Sequence, residues 1–171
     1  MSLIIGLDPG SQCTGYGILK LDDGSQLQYR GHGTLIPPRG LEFAARLHSL
    51  YEMLDEVFSR WSPSEVIIEK VFLGPNVDSA FKLGHARGLC LAVASRYRCR
   101  IREMAPRAVK KAVTGYGAAS KDQVSLAVVS WLGLETRGIR HDATDALALA
   151  VARGLLLESE DRLSQLMKEN P

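Results

Sequence analysis

Leu3-Ile4-Ile5-Gly6-Leu7-Asp8-Pro9-Gly10-Ser11 is an apolar run that stops on a carboxylate and a turn. The run is too short for a helix and suits a buried strand. Pro9 keeps Asp8 extended, because the ring clashes with a helical conformation at the preceding residue. Pro then Gly at the centre of Asp8–Ser11 predicts a type II turn. Glu65-Val66-Ile67-Ile68-Glu69 repeats the pattern, with a second acid at the tip of a second apolar strand. If the two strands lie parallel and adjacent, Asp8 and Glu69 emerge at one carboxyl edge of a sheet, where open α/β sheets place ligands. Each acid alone can also be read blandly, Asp8 as a turn aspartate bonding its own loop and Glu69 as a strand end in water.

Working outward, Gly15 to Leu21 and Gln26 to Ile36 read as two further strands, so the chain opens on a three-stranded meander. Leu41, Ala44, Leu47, Leu50, Leu54, Val57 or Phe58, and Trp61 recur at helical spacing. Val77 to Tyr97 is helical in pattern, with a surface of small residues from Ala80 to Ala94. Arg100 to Met104 predicts a fifth strand, and Pro106 suits the first turn of a short helix. Ser120 to Leu132 and Asp142 to about Leu157 predict two more helices, and the polar tail 158–171 is expected to fray. Strands first, then strands separated by helices, give an α/β fold: a five-stranded mixed sheet flanked by helices, expected as one domain over 1–157.

The 171 residues carry 21 Lys plus Arg against 19 Asp plus Glu, a net charge of +2, with 46% hydrophobic residues. That is the composition of a globular chain able to bury roughly 70% of its unfolded surface without staples. No run of about 18 apolar residues suggests a membrane span. The N-terminus lacks a basic leader, so no secretion signal is expected. Cys13, Cys90 and Cys99 are odd in number and form no Cys-x-x-Cys pair. A zinc ribbon or disulfide scaffold is therefore not expected, and a reducing, cytoplasmic setting is. Charge is distributed unevenly. Lys82, Arg87, Arg96, Arg98, Arg100, Arg102, Arg107, Lys110 and Lys111 face a single acid, Glu103, within 82–111. This is either a solvated helix face with an exposed strand or a phosphate-binding surface.

His141-Asp142-Ala143-Thr144-Asp145 opens the last helix. Asp142 and Asp145 are three apart and share a face. They can be read as an N-cap and its third-position partner, as in a capping box. His141 could serve as a ligand or base, or simply as a surface residue. Together with Asp8 and Glu69, however, they would make four carboxylates at one sheet edge, which resist joint ionisation unless a cation is present. Mg²⁺ prefers such oxygen ligands. Two ions about 3.5–4 Å apart would stabilise the attacking and leaving oxygens of an in-line phosphoryl displacement.

Four dispersed segments carry a resemblance. Ile4–Ser11 with Thr14-Gly15-Tyr16-Gly17, Ile68-Glu69-Lys70-Val71-Phe72, Lys82-Leu83-Gly84-His85-Ala86-Arg87-Gly88 and Asp142–Ala148 resemble, in order and spacing, the RuvC family of Holliday-junction resolvases. The resemblance runs from about residue 3 to 156. It implies a ribonuclease H-like fold, a homodimer, and an Mg²⁺-dependent endonuclease (Mn²⁺ able to substitute) that cuts four-way DNA junctions and leaves 5′-phosphate ends. It implies two ions held by Asp8, Glu69, Asp142 and Asp145, with Lys121 neutralising the reacting phosphate. It further implies Phe72 beside the junction bases and Lys110 near the scissile strand. The other basic residues of the 82–111 segment, Lys82, Arg87, Arg107 and Lys111 among them, would hold flanking phosphates. Cooperation with the RuvA and RuvB branch-migration proteins is implied too. Some family members carry histidine at the position of Asp142. The small-residue helix 77–97 is the candidate dimer seam.

Three other readings compete. Sugar kinases, actins and heat-shock ATPases share an Asp-x-Gly turn, but they need two lobes and leave Glu69 and Asp142/Asp145 unexplained. Ribonuclease H-like nucleases acting on ribosomal RNA precursors share the architecture, so fold cannot decide between them and the resolvases. A non-enzymatic junction-binding module would have the basic face without the acids.

Overall fold

A computed structural model describes residues 2–22, 26–70, 76–135 and 138–169. The elements are β1 (Ser2–Asp8), β2 (Thr14–Leu21), β3 (Leu27–Leu35), α1 (Phe43–Trp61), β4 (Glu65–Glu69), α2 (Val77–Arg96), β5 (Arg100–Met104), α3 (Pro106–Thr114), α4 (Lys121–Leu132) and α5 (His141–Glu169). The five strands form one sheet in the order β3-β2-β1-β4-β5. The meander β1–β2–β3 is antiparallel, while β4 pairs parallel to both β1 and β5. The fold is that of the ribonuclease H-like proteins.

Alternation along the strands feeds two cores. Ile5, Leu7, Val66 and Ile68 pack against α1 and α2 with Leu50, Leu54, Phe58, Cys90 and Val93. Ile4 and Ile67 point to the other face and pack with Leu147 and Val151 of α5, Val109 and Val113 of α3, and Val124 and Val128 of α4. Each large aliphatic side chain withdrawn from water here contributes about 1.5–3 kcal/mol.

α5 lies close on the sheet because glycines let it. A Cβ at Gly6 would sit 2.0 Å from the carbonyl oxygen of Ala146, and one at Gly15 would sit 2.0 Å from that of Asp142. The Ala-rich stretch Ala143–Ala152 of the helix is almost wholly buried against these strands. At the far end of this contact, Arg153 Nε donates to Glu65 Oε1 at 2.5 Å, both residues being buried, and Arg153 Nη1 reaches Glu160 at 3.1 Å.

Two expectations need correction. The last helix does not stop near Leu157 but runs unbroken to Glu169, and the Arg153–Glu160 bond links its core-facing turns to the polar extension. Nor is Asp8–Ser11 a type II turn, since Gly10 is not among the glycines with positive φ. The Thr14 hydroxyl closes this loop instead: it donates to the Gly10 carbonyl at 2.9 Å and accepts from the Gly10 amide at 3.2 Å. Glycine is needed there for space, as a Cβ would lie 2.3 Å from the Cys13 carbonyl oxygen. All three cysteines are free thiols. Among the described residues, no helix is long and apolar enough to cross a membrane.

Candidate active site

The parallel register pairs Leu7 with Ile68, so the next residues, Asp8 and Glu69, leave the sheet side by side. α5 enters over β2, where Gly15 meets the Asp142 carbonyl, and this seat brings Asp142 and Asp145 to the same edge. α5 begins at His141, and its first turn is closed by the Thr144 amide and hydroxyl, both donating to the Arg140 carbonyl. Asp142 therefore lies inside the first turn and is not the N-cap. Asp8, Glu69 and Asp145 line one cleft of about 320 Å³ together with Lys110, Lys121, Pro106 and Val109.

Lys121 is placed by local chemistry. Ser120 caps α4: its hydroxyl accepts from the Gln123 amide while the Gln123 side chain accepts from the Ser120 amide, a reciprocal capping box. The next residue, Lys121, then reaches Asp145 Oδ2 with its ammonium at 3.2 Å. Lys110 donates to the Ala119 carbonyl at 2.7 Å and so ties α3 to the turn that precedes Lys121.

The electrostatics follow from this crowding. Burial first, then repulsion from Asp145, Glu69 and Asp142, pushes the Asp8 carboxyl up to about 7, with Lys121 opposing. Burial and Asp145 raise Glu69 as well. Asp145, through charge and hydrogen bond, raises the Lys121 ammonium. Asp142 pairs at 3.8 Å with Arg140 and stands beside the Cys13 thiol, which burial and Asp142 push up to about 11. As the side chains lie, no group of three or more His, Cys, Asp or Glu among the described residues is close enough to hold a metal ion.

The other candidate residues are dispersed. On α2, Lys82 pairs with Asp78 at 2.5 Å, and Arg87 pairs with Glu103. Both are therefore partly neutralised by partners outside the candidate acids. Arg107 and Lys111 are exposed on α3. His141 is exposed and makes no hydrogen bond or ion pair among the described residues. Phe72 lies outside the described residues. Sequence reading missed a second basic group, Arg39, Arg46 and Arg140, which line a common groove. They come from separate segments of mixed charge, so no local charge run announces them.

Similarity to known proteins places the chain among the nucleases. The family model described as "Crossover junction endodeoxyribonuclease RuvC" matches residues 4–153, and the chain belongs to that family. It is 43% identical over 151 residues to the RuvC of Legionella pneumophila strain Paris, covering 88% of this chain and 86% of the relative. To the RuvC of Bdellovibrio bacteriovorus it is 44% identical, covering 88% and 89%. Among solved structures, Thermus thermophilus RuvC in complex with Holliday junction substrate superposes with a TM-score of 0.85 at 25% identity, covering 94% of this chain and 97% of that one.

Proposed function

We propose that this protein resolves four-way DNA junctions, cutting two symmetry-related strands by metal-dependent phosphodiester hydrolysis to leave 5′-phosphate ends. The observation that carries the chemistry is the convergence of acids from β1, β4 and α5 around a partly buried Asp8 whose proton is held to about 7. The family relation and the likeness to a junction-bound relative support the substrate.

The donor set fits a hard divalent cation. It is all carboxylate oxygen, and the repulsion that adds to burial in raising the Asp8 carboxyl is what a cation relieves. Asp8, Glu69, Asp142 and Asp145 would hold Mg²⁺, which would supply Lewis-acid activation of a water and charge stabilisation of the departing 3′ oxygen. Asp145 must then exchange the Lys121 ammonium for the cation, because the two are bonded in the structure. The freed ammonium stays within reach of the cleft and would neutralise charge growing on the reacting phosphate. Lys110, by tying the 115–120 turn to α3, sets where Lys121 stands.

Two cuts on one junction need two sites related by a two-fold axis, which a homodimer provides. The exposed apolar face of α2, with Val77 and Phe81 about two-thirds exposed beside Gly84 and Gly88, supports that seam. Cooperation with RuvA and RuvB belongs to the same reading. The test is a gel assay of a synthetic immobile junction against a plain duplex. Paired nicks in the junction with Mg²⁺ and none with EDTA are expected. Equal cutting of duplex, or cutting in EDTA, would overturn the reading.

A further inference from the structure

The register of the sheet places a second basic surface on the same edge as the acids. Asp8 pairs with Gly15, Gly15 with Thr34, and Thr14 with Leu35. The segment leaving β3, Ile36-Pro37-Pro38-Arg39-Gly40, therefore emerges two strands from Asp8. Two inter-strand spacings make about 10 Å.

There it forms a groove of about 530 Å³ with Gln12 and Cys13 from the β1–β2 loop, Arg46 from α1 and Arg140 ahead of α5. Three guanidinium groups line this groove and no carboxylate does. Arg140 pairs at 3.8 Å with Asp142, a candidate site residue. The groove is also built to stay open. Pro37 and Pro38 fix their own φ angles, and Gly40 turns the chain at φ +80°, so Arg39 stands on a stiff loop. Arg39 is exposed and has no ion pair among the described residues. Arg46 is steadied by donating Nη2 to the Leu41 carbonyl at 3.2 Å. Pre-organised cations lose little freedom on binding.

We infer that this arginine groove seats the sugar–phosphate backbone of the DNA on the side of the acids opposite Lys110 and Lys121. The inference rests on the junction-nuclease reading above and assigns that site's second phosphate track. Guanidinium suits phosphate through paired N–H donors. Ile36 and Pro38, both exposed at the rim, offer apolar surface to deoxyribose. The rise along one DNA strand is about 3.4 Å per nucleotide. An offset of about 10 Å thus puts the bound phosphates roughly three nucleotides from the one that is cut.

The experiment measures junction binding in Ca²⁺ across a salt series for wild type, Arg39→Gln, Arg39→Glu and Arg39→Gln/Arg46→Gln. Each phosphate contact contributes about 0.9 to the slope of log K against log salt. The double variant should lose about 2 from the slope, and Arg39→Glu should weaken binding at least about tenfold. Replacing phosphates two to four nucleotides from the cut with neutral methylphosphonates should weaken the wild type and leave the double variant nearly unaffected. Unaltered slopes and affinities in all three variants, with wild type binding normally, would overturn the inference. Absence of junction binding by wild type would instead overturn the functional reading on which it rests. Arg39 is exposed and has no ion pair among the described residues, so Arg39→Glu keeps the test decisive even if the double variant is destabilised.

Discussion

Asp8→Asn should make the metal-free protein more stable at pH 8 while ending its catalysis. In the fold the Asp8 carboxyl is raised from 3.8 to about 7, chiefly by burial and then by Asp145, Glu69 and Asp142. The folded state thus holds a proton that the unfolded chain releases near pH 4. Between those values the folded state binds more protons, so stability falls as pH rises from about 4 to 7 and levels off above. About three units at roughly 1.4 kcal/mol each set a ceiling near 4 kcal/mol. Partial access to water and relaxation reduce this, and a gain of about 1–3 kcal/mol at pH 8 is expected. Asparagine keeps the shape and removes the charge. The gap between variant and wild type should shrink as pH falls toward 4. Added Mg²⁺ should stabilise the wild type at pH 8 more than the variant. Urea denaturation in EDTA at several pH values measures this. A variant no more stable than wild type at pH 8, or a gap indifferent to pH, would refute the electrostatic reasoning.

Lys121→Ala should slow junction cleavage by about 10²–10³ while weakening Ca²⁺-supported binding only slightly; equal losses would reassign Lys121 to docking. Gly15→Ala forces a Cβ onto the Asp142 carbonyl oxygen. It should cost about 1–3 kcal/mol of stability and at least about tenfold in cleavage rate, and a variant normal in both would show that the seat of α5 is not needed. Arg153→Met leaves buried Glu65 with only the exposed Arg102 at 3.9 Å and should destabilise by about 2–4 kcal/mol in urea, most of it recovered when Glu65 is also made apolar. Phe81→Asp should give a monomer in sedimentation; a persistent dimer would place the seam elsewhere.

Much of the fold was legible because the decisive signals are local and strong. Apolar runs that end on Asp8 and Glu69 can only be strand tips, and the register then brings them together. The element order and the Ala-rich burial of α5 followed from periodicity in the same way. The misreadings have physical causes. Pro9-Gly10 carries the statistics of a type II turn, but a buried threonine four residues on claims both backbone groups of Gly10. The apolar periodicity of the last helix stops near Leu157, yet α5 continues to Glu169 as a helix already anchored by Leu147–Ala152. The excess of charge at 82–111 overstated the free basic surface, since Lys82, Arg87, Arg96 and Arg102 all meet acids. The arginine groove was invisible because its arginines lie 7 to 101 residues apart and converge only through the sheet.

The central claim is that carboxylates from distant segments share divalent cations at one sheet edge. The most direct measurement is an anomalous-scattering map from crystals soaked in Mn²⁺. Peaks among Asp8, Glu69, Asp142 and Asp145, with Lys121 moved off Asp145, are expected. Manganese absent from that cleft, or bound only elsewhere, would contradict it.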